Sequence, residues 1–206
     1  MVKAFLLGGS FDPPHLGHRQ ILDFLHNQFP ETPVFVVPAR QSPHKTHSPI
    51  ITHTQRLNLL DLMLQDYETV KILDWEINQS TPSYTFTTVN RFMAEFRLNP
   101  GELGLCIGDD LLHGLHTWHR YSDLGSLVHW YVFKRPDSKD NLMTPAEREK
   151  MLLGFGEEFC YTVVDNPLLP ISSSIVRDYI RAKKPYHQLL DPRVYEYIRR
   201  EKLYTI

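Results

Sequence analysis

Gly8-Gly9-Ser10-Phe11-Asp12-Pro13-Pro14-His15-Leu16-Gly17-His18 follows the apolar run Lys3–Leu7 and leads into an amphipathic stretch. The run reads as a buried strand. Leu16–Phe29 reads as a helix, with Ile21, Leu22, Phe24, Leu25 and Phe29 along one side. Between them, glycine and proline mark a turn. A strand feeding a helix through such a turn is the unit of a doubly wound α/β sheet. Its junction binds phosphates, because the first helical N–H groups have no intrahelical partner and the helix dipole favours an anion. Gly8 and Gly9 let the backbone pass close to a ligand, and Gly17 does the same in the first turn of the helix, where a Cβ would obstruct. His15 and His18 lie three residues apart on one helical face, so both imidazoles can aim at one phosphate. An isolated His-x-x-His is more often a surface pair; the strand, turn and helix around it favour the phosphate reading. A metal site is the weak third reading, since no other His, Cys or carboxylate stands nearby at ligand spacing. The segment contains neither Gly-Lys-Ser/Thr nor Gly-x-Gly-x-x-Gly, so it is neither a Walker loop nor a dinucleotide fingerprint.

Outward from this turn, short apolar runs alternate with amphipathic stretches. Val34–Val37, Thr69–Leu73, Leu103–Ile107, Leu127–Phe133 and Tyr161–Val164 read as further strands. Gln55–Leu64 and Ser83–Phe96 read as helices, the second N-capped by the serine after Pro82; two more helices begin near Ser172 and Pro192. The pattern predicts an α/β fold: a Rossmann-like, doubly wound, mostly parallel sheet with helices on both faces. No repeat or linker divides the chain, so residues 1–206 are expected to form one domain. Pro38 to Thr52, rich in Pro, Ser, Thr and His, reads as a loop able to move over a ligand.

Composition narrows the classes. With 206 residues, 42% apolar and 22% charged, the chain can bury an ordinary core. A formal net charge of −2 gives no reason to expect a nucleic-acid polymer as partner. Cys106 and Cys160 sit in apolar runs and read as small core hydrophobes of a reducing compartment. No apolar run is long enough to span a bilayer and the first residues lack signal-peptide features, so a cytoplasmic location without a membrane partner is expected. The remaining histidines, irregularly spaced and joined by no cysteine, give a zinc site little support. A homo-oligomer stays open.

A second helix start lies near the other end of the chain, at Ile171-Ser172-Ser173-Ser174-Ile175-Val176-Arg177. Serine hydroxyls cap such a helix, or together with free N–H groups cradle a phosphate, and Arg177 one turn on can fork onto the same anion. Taken alone, the segment is a serine cap with a surface arginine. Two anion-binding helix starts at opposite ends of one chain point to a triphosphate. Between them lie candidates for a second substrate. Lys45, in Pro43-His44-Lys45, is either a neutralising cation or a solvated charge. Tyr84 and Thr85 open a helix whose N–H groups suit a carboxylate; a helix cap with a buried tyrosine is the alternative. Asp109 and Asp110 follow a buried strand at its carboxyl end, where a carboxylate can accept from ribose hydroxyls. Trp118 offers either a stacking face for a flat ring or one more core side chain.

At these residues the sequence resembles a known family. His15-Leu16-Gly17-His18 is similar to the His-x-Gly-His signature of the nucleotidyltransferases, and the complete Gly-Gly-Ser-Phe-Asp-Pro-Pro-His form resembles the bacterial nicotinate mononucleotide adenylyltransferases. The resemblance runs from the first strand to Leu203-Tyr204. It implies that Gly8, Gly9, Ser10, Phe11, Asp12, His15, Gly17 and His18 bind ATP. Ile171, Ser172, Ser174 and Arg177 would hold its β- and γ-phosphates, with the C-terminal helices from about residue 171 completing that site. Lys45, Tyr84, Thr85, Gly108, Asp110, Trp118, His119 and Arg135 would contact the acceptor; the Gly-x-Asp pattern puts the ribose role on Asp110, with Asp109 at the variable place. His119 departs from a tyrosine common in the family. The implied reaction is transfer of AMP from ATP, supplied as its magnesium complex, to nicotinate mononucleotide, with His18 and His15 catalytic and no protein-bound metal. Rival readings are a sister transferase acting on phosphopantetheine, a cytidylyltransferase, a nicotinamide-preferring enzyme, and a non-catalytic nucleotide sensor.

Overall fold

The computed structural model describes residues 1–41, 48–80, 82–135, 144–156, 159–165 and 168–205. The strands are β1 (Ala4–Gly9), β2 (Val34–Pro38), β3 (Val70–Ile72), β4 (Leu103–Gly108), β5 (Val128–Phe133) and β6 (Tyr161–Val164). They form one six-stranded sheet in the order β3-β2-β1-β4-β5-β6, with every neighbouring pair parallel. In this order the direction of winding reverses between β1 and β4, and at such a switch point the crevice opens at the carboxyl ends of the strands.

The helices are α1 (Leu16–Gln28), α2 (His53–Leu64), α3 (Thr85–Phe96), α4 (Tyr121–Leu127), α5 (Pro145–Leu153), α6 (Ser173–Arg181) and α7 (Pro192–Arg200). A long 3-10 helix, Asp109–Thr117, follows β4 directly. Strand pleating divides the core in two. Phe5, Leu7, Val34, Val36, Cys106 and Phe133 face one layer, shared with Leu22, Leu59, Val176 and Val194 from α1, α2, α6 and α7. Ala4, Leu6, Phe35, Val37, Leu105 and Trp130 face the other, shared with Val89, Leu112, Leu124 and Leu152 from α3, the 3-10 helix, α4 and α5. Both faces of the sheet are therefore covered, which is why its strands are near-continuous apolar runs.

Three local expectations are corrected. Ser83 does not cap α3: the N-cap is Tyr84, without a side-chain cap bond, and the Ser83 hydroxyl accepts from the Arg40 N–H at 3.0 Å. Cys160 is exposed, because it lies just before the short edge strand β6, whereas Cys106 is buried in β4 as expected. His15 lies outside the helical turn and is its N-cap. The helices α4 and α5 were not among the expected elements; both are short, and their apolar spacing is thin.

Candidate active site

The β1–α1 turn is held by its histidines. The His15 Nδ1 accepts from the Gly17 N–H at 3.2 Å, and the His18 Nδ1 accepts from the His15 N–H at 3.2 Å, a reciprocal capping box. Each acceptor role fixes a tautomer, so both neutral rings carry their proton on Nε2. The two rings lie 3.7 Å apart between centroids, and Phe11 packs against His18 at 4.7 Å. His15 is buried and His18 partly exposed, so His18 is the ring presented outward. Gly17 makes this possible. A Cβ there would come within 3.1 Å of the His15 ring, so the missing side chain leaves room for an imidazole. Phe11 has a φ of 46°, an unfavourable region for a bulky residue, and its burial holds it there. Its ring fills the space beside Gly9, where a Cβ would meet it at 3.0 Å; a Cβ on Gly8 would meet open space.

The α6 start closes onto this turn. Ser172 is the N-cap, its hydroxyl accepting from the Ile175 N–H. Ser173 donates to the Pro13 carbonyl at 2.9 Å, and Arg177 donates to the Asp12 carbonyl at 2.6 Å and to the Ser174 hydroxyl at 3.1 Å. Segments more than 150 residues apart thus share one small polar surface. Asp12 itself is buried. One carboxylate oxygen accepts from the Tyr204 hydroxyl and the other from the Ile50 N–H, both at 2.9 Å. Beneath the turn, the fully buried Arg56 donates to the carbonyls of Ser10 and Ala39, and burial pushes its pKa below the usual range.

On the other side of the switch point, Gly108 ends β4 with Asp110 and Arg135 folded over it. A Cβ on Gly108 would lie 2.3 Å from the Asp110 carboxylate and 3.3 Å from Arg135. The Asp110 carboxylate, partly covered and 3.5 Å from the Arg135 guanidinium, has its pKa raised by desolvation, opposed by that cation. Asp109 is buried and structural: it accepts from the Arg135 N–H at 2.8 Å and from the Arg148 guanidinium at 2.7 Å. Arg135 also donates to the Ile171 carbonyl at 3.4 Å, which ties this side to the α6 start. Further along, the exposed Tyr84 ring packs on His119 at 4.9 Å. Thr85 opens α3, and Trp118 caps the 3-10 helix, half-buried against the core. Lys45 lies outside the described residues.

The structure therefore gathers the two helix starts, and separately sets Tyr84 on His119, while the Trp118 ring faces Trp130 at 6.3 Å. It adds Arg56, Ser173, the Asp109–Arg148 pair and Tyr204, which the sequence reading did not select. Arg56 carried a signal, since it shares the helical spacing of Leu59, Leu60 and Met63 and so falls on the buried face of α2. Tyr204 carried none, because its partner is 192 positions away.

A doubly wound parallel sheet with two helix starts meeting at its switch point defines an α/β nucleotide-binding protein. The chain belongs to the cytidylyltransferase-like family, whose model matches residues 6–179. It is 33% identical over 207 residues to a protein of Pectobacterium atrosepticum named "Probable nicotinate-nucleotide adenylyltransferase", covering 96% of each chain. It is 30% identical to one of Geobacillus kaustophilus with the same name, covering 99% of this chain and 87% of that protein. Among solved structures, it is similar to the Plasmodium falciparum nicotinic acid mononucleotide adenylyltransferase complexed with APC and, separately, with NaAD. Each match has a TM-score of 0.77 at 19% identity, covering 99% of this chain and 98% of that one, and it supports the fold.

Proposed function

We propose that this chain transfers AMP from Mg·ATP to the phosphate of nicotinate mononucleotide, giving nicotinate adenine dinucleotide and pyrophosphate. The observation that carries the reading is the closure of the α6 start onto the histidine turn through Ser173, Arg177 and the carbonyls of Pro13 and Asp12. It makes one anion-binding surface long enough for a triphosphate out of two helix starts. The relatives' names and the NaAD complex of the Plasmodium enzyme support the choice of acceptor.

An oxygen of the acceptor phosphate attacks the α-phosphorus of ATP, and the bond to the bridging oxygen breaks as pyrophosphate leaves. The acceptor phosphate is already an anion at neutral pH, so no covalent enzyme intermediate is needed. Catalysis consists of alignment and stabilisation of charge. His18 presents its Nε2–H to the α-phosphoryl group; His15, stacked beneath, fixes the direction of that bond. Ser174 and Arg177 hold the β/γ end. The turn from Gly8 to Asp12 forms the floor, the carboxylate oxygens of Asp12 being engaged internally. Magnesium enters as part of the substrate, held by phosphates and water. Tyr84, Thr85, Trp118 and His119 receive the pyridine ring and its carboxylate, Asp110 the ribose, and Arg135 and Lys45 the acceptor phosphate. The chain works as a single domain in the cytoplasm; among the described residues, no helix is long and apolar enough to cross a membrane.

The test is pyrophosphate release from Mg·ATP with nicotinate mononucleotide, nicotinamide mononucleotide or phosphopantetheine supplied in parallel. Release with nicotinate mononucleotide well above the others is expected. Release with another acceptor alone would retain the histidine chemistry and discard the pocket assignment; release with none would leave a nucleotide sensor.

A further inference from the structure

The C-terminal segment enters the triphosphate site from behind. After α7 the chain turns through Lys202, passes the buried Leu203 and brings Tyr204 to rest with its ring buried and its φ at 64°. The Tyr204 hydroxyl donates to one oxygen of the buried Asp12 carboxylate at 2.9 Å, and the Ile50 N–H occupies the other. Burial and the adjacent carboxylate raise the phenol pKa, so the group stays a donor throughout the working pH range. The Arg177 guanidinium bonds the Asp12 carbonyl and is already paired, at 3.8 Å, with Oδ2, the oxygen that accepts from Ile50; this long contact would tighten if the carboxylate lost its Tyr204 partner and turned. Arg56, the other cation near Asp12, is committed to the carbonyls of Ser10 and Ala39.

We propose that Tyr204 is a positioning residue for ATP: its hydroxyl satisfies Asp12, and this leaves the Arg177–Asp12 carboxylate pair long and Arg177 available to the β/γ-phosphates instead of drawn tightly onto the carboxylate. Tyr204 touches no substrate and acts through two intermediaries. The proposal rests on the reading of Arg177 as a triphosphate ligand; it is independent of which acceptor the enzyme uses.

The experiment measures binding of α,β-methylene ATP with magnesium by calorimetry, so no acceptor is required. Tyr204→Phe keeps the buried ring and removes the hydroxyl; a weakening of roughly tenfold is expected, the scale of one charge-assisted contact. Tyr197→Phe is the control. Its hydroxyl accepts from Asn58 at 3.0 Å and joins the same C-terminal helix to α2, away from Asp12; binding within about twofold of wild type is expected. Adding Asp12→Asn to Tyr204→Phe removes the charge that would capture Arg177. Recovery of most of the lost affinity is expected, and this also serves if the single variant folds poorly. Unchanged binding in a folded Tyr204→Phe variant overturns the proposal, as does equal weakening in Tyr197→Phe or no recovery in the double variant. A wild-type chain that binds the analogue but makes no product with nicotinate mononucleotide would refute the acceptor assignment alone.

Discussion

The two halves of the site are built differently. On the triphosphate side, contacts are short, polar and made largely by main chain: carbonyls of Ser10, Asp12, Pro13 and Ala39 receive arginine or serine donors, and the histidines cap their own helix. On the proposed acceptor side, the exposed Tyr84 and His119 rings pack on each other, and the half-buried Trp118 packs towards Trp130. Main-chain contacts fix a position regardless of neighbouring side chains, whereas ring packing tolerates exchange. On the proposed assignment, the first side places one phosphorus in line for any acceptor, and the second can be altered to change the acceptor.

The sharpest way to break this comparison is at the joint between the halves. Asp109→Ala removes the carboxylate that receives both the Arg135 N–H and the buried Arg148 guanidinium, leaving a cation in the core. Unfolding by denaturant should show a loss of about 3–5 kcal/mol, the cost of breaking one buried ion pair from one side. A loss below about 1 kcal/mol would mean that the pair is screened like a surface one. Next in size is His18→Ala. It should lower turnover by two orders of magnitude, about 3 kcal/mol, with only modest change in ATP affinity, because the bond it supplies matters most when charge develops. Single-turnover kinetics separate the two quantities. Equal losses in binding and turnover would move His18 from the reacting phosphorus to the ground state.

How far the sequence reveals this site depends on the range of the contacts. The β1–α1 turn is legible because its determinants lie within eleven consecutive residues and act on each other across two or three positions. The serines of Ile171–Arg177 are legible as a helix start for the same reason. What sequence alone does not show is that Ser173 bonds Pro13 and that Tyr204 bonds Asp12, since tertiary closure leaves no local periodicity. Ser83 illustrates the opposite error: a good local capping signal is overridden when the hydroxyl accepts from the Arg40 N–H 43 residues away. Gly17 was legible as a place where a Cβ would obstruct, but its partner is the His15 ring. A pattern can mark a crowded position without saying what crowds it.

On the acceptor side the comparison is sharpened by Trp118→Ala. With the ring gone, the KM for nicotinate mononucleotide should rise about tenfold and that for ATP by less than twofold, the loss of one stacking face at the pocket wall. Steady-state titration of each substrate at saturation of the other reads the split. A defect confined to ATP would place the ring on the wrong side of the site.

The smallest effect is expected at Glu76, a buried carboxyl beneath the start of α3 that accepts from the Thr88 hydroxyl. Desolvation raises its pKa, against hydrogen bonds from Thr88 and Ser83 that lower it. The sign of the linkage follows. Below the ordinary carboxylate range both folded and unfolded chains hold the proton; above it the unfolded chain releases the proton while the folded one retains it, so Glu76 costs stability as pH rises through the window between the two pKa values. Glu76→Gln should therefore flatten that part of the stability–pH curve and leave the variant slightly more stable than wild type at neutral pH, with the helix start unmoved. Denaturant midpoints across pH 4 to 8 provide the measurement. A variant less stable at every pH would show that the bonds from Thr88 and Ser83 outweigh desolvation. The packing beneath the start of α3 would then be as tightly determined as the histidine turn, and the contrast between the two halves would be confined to the rings.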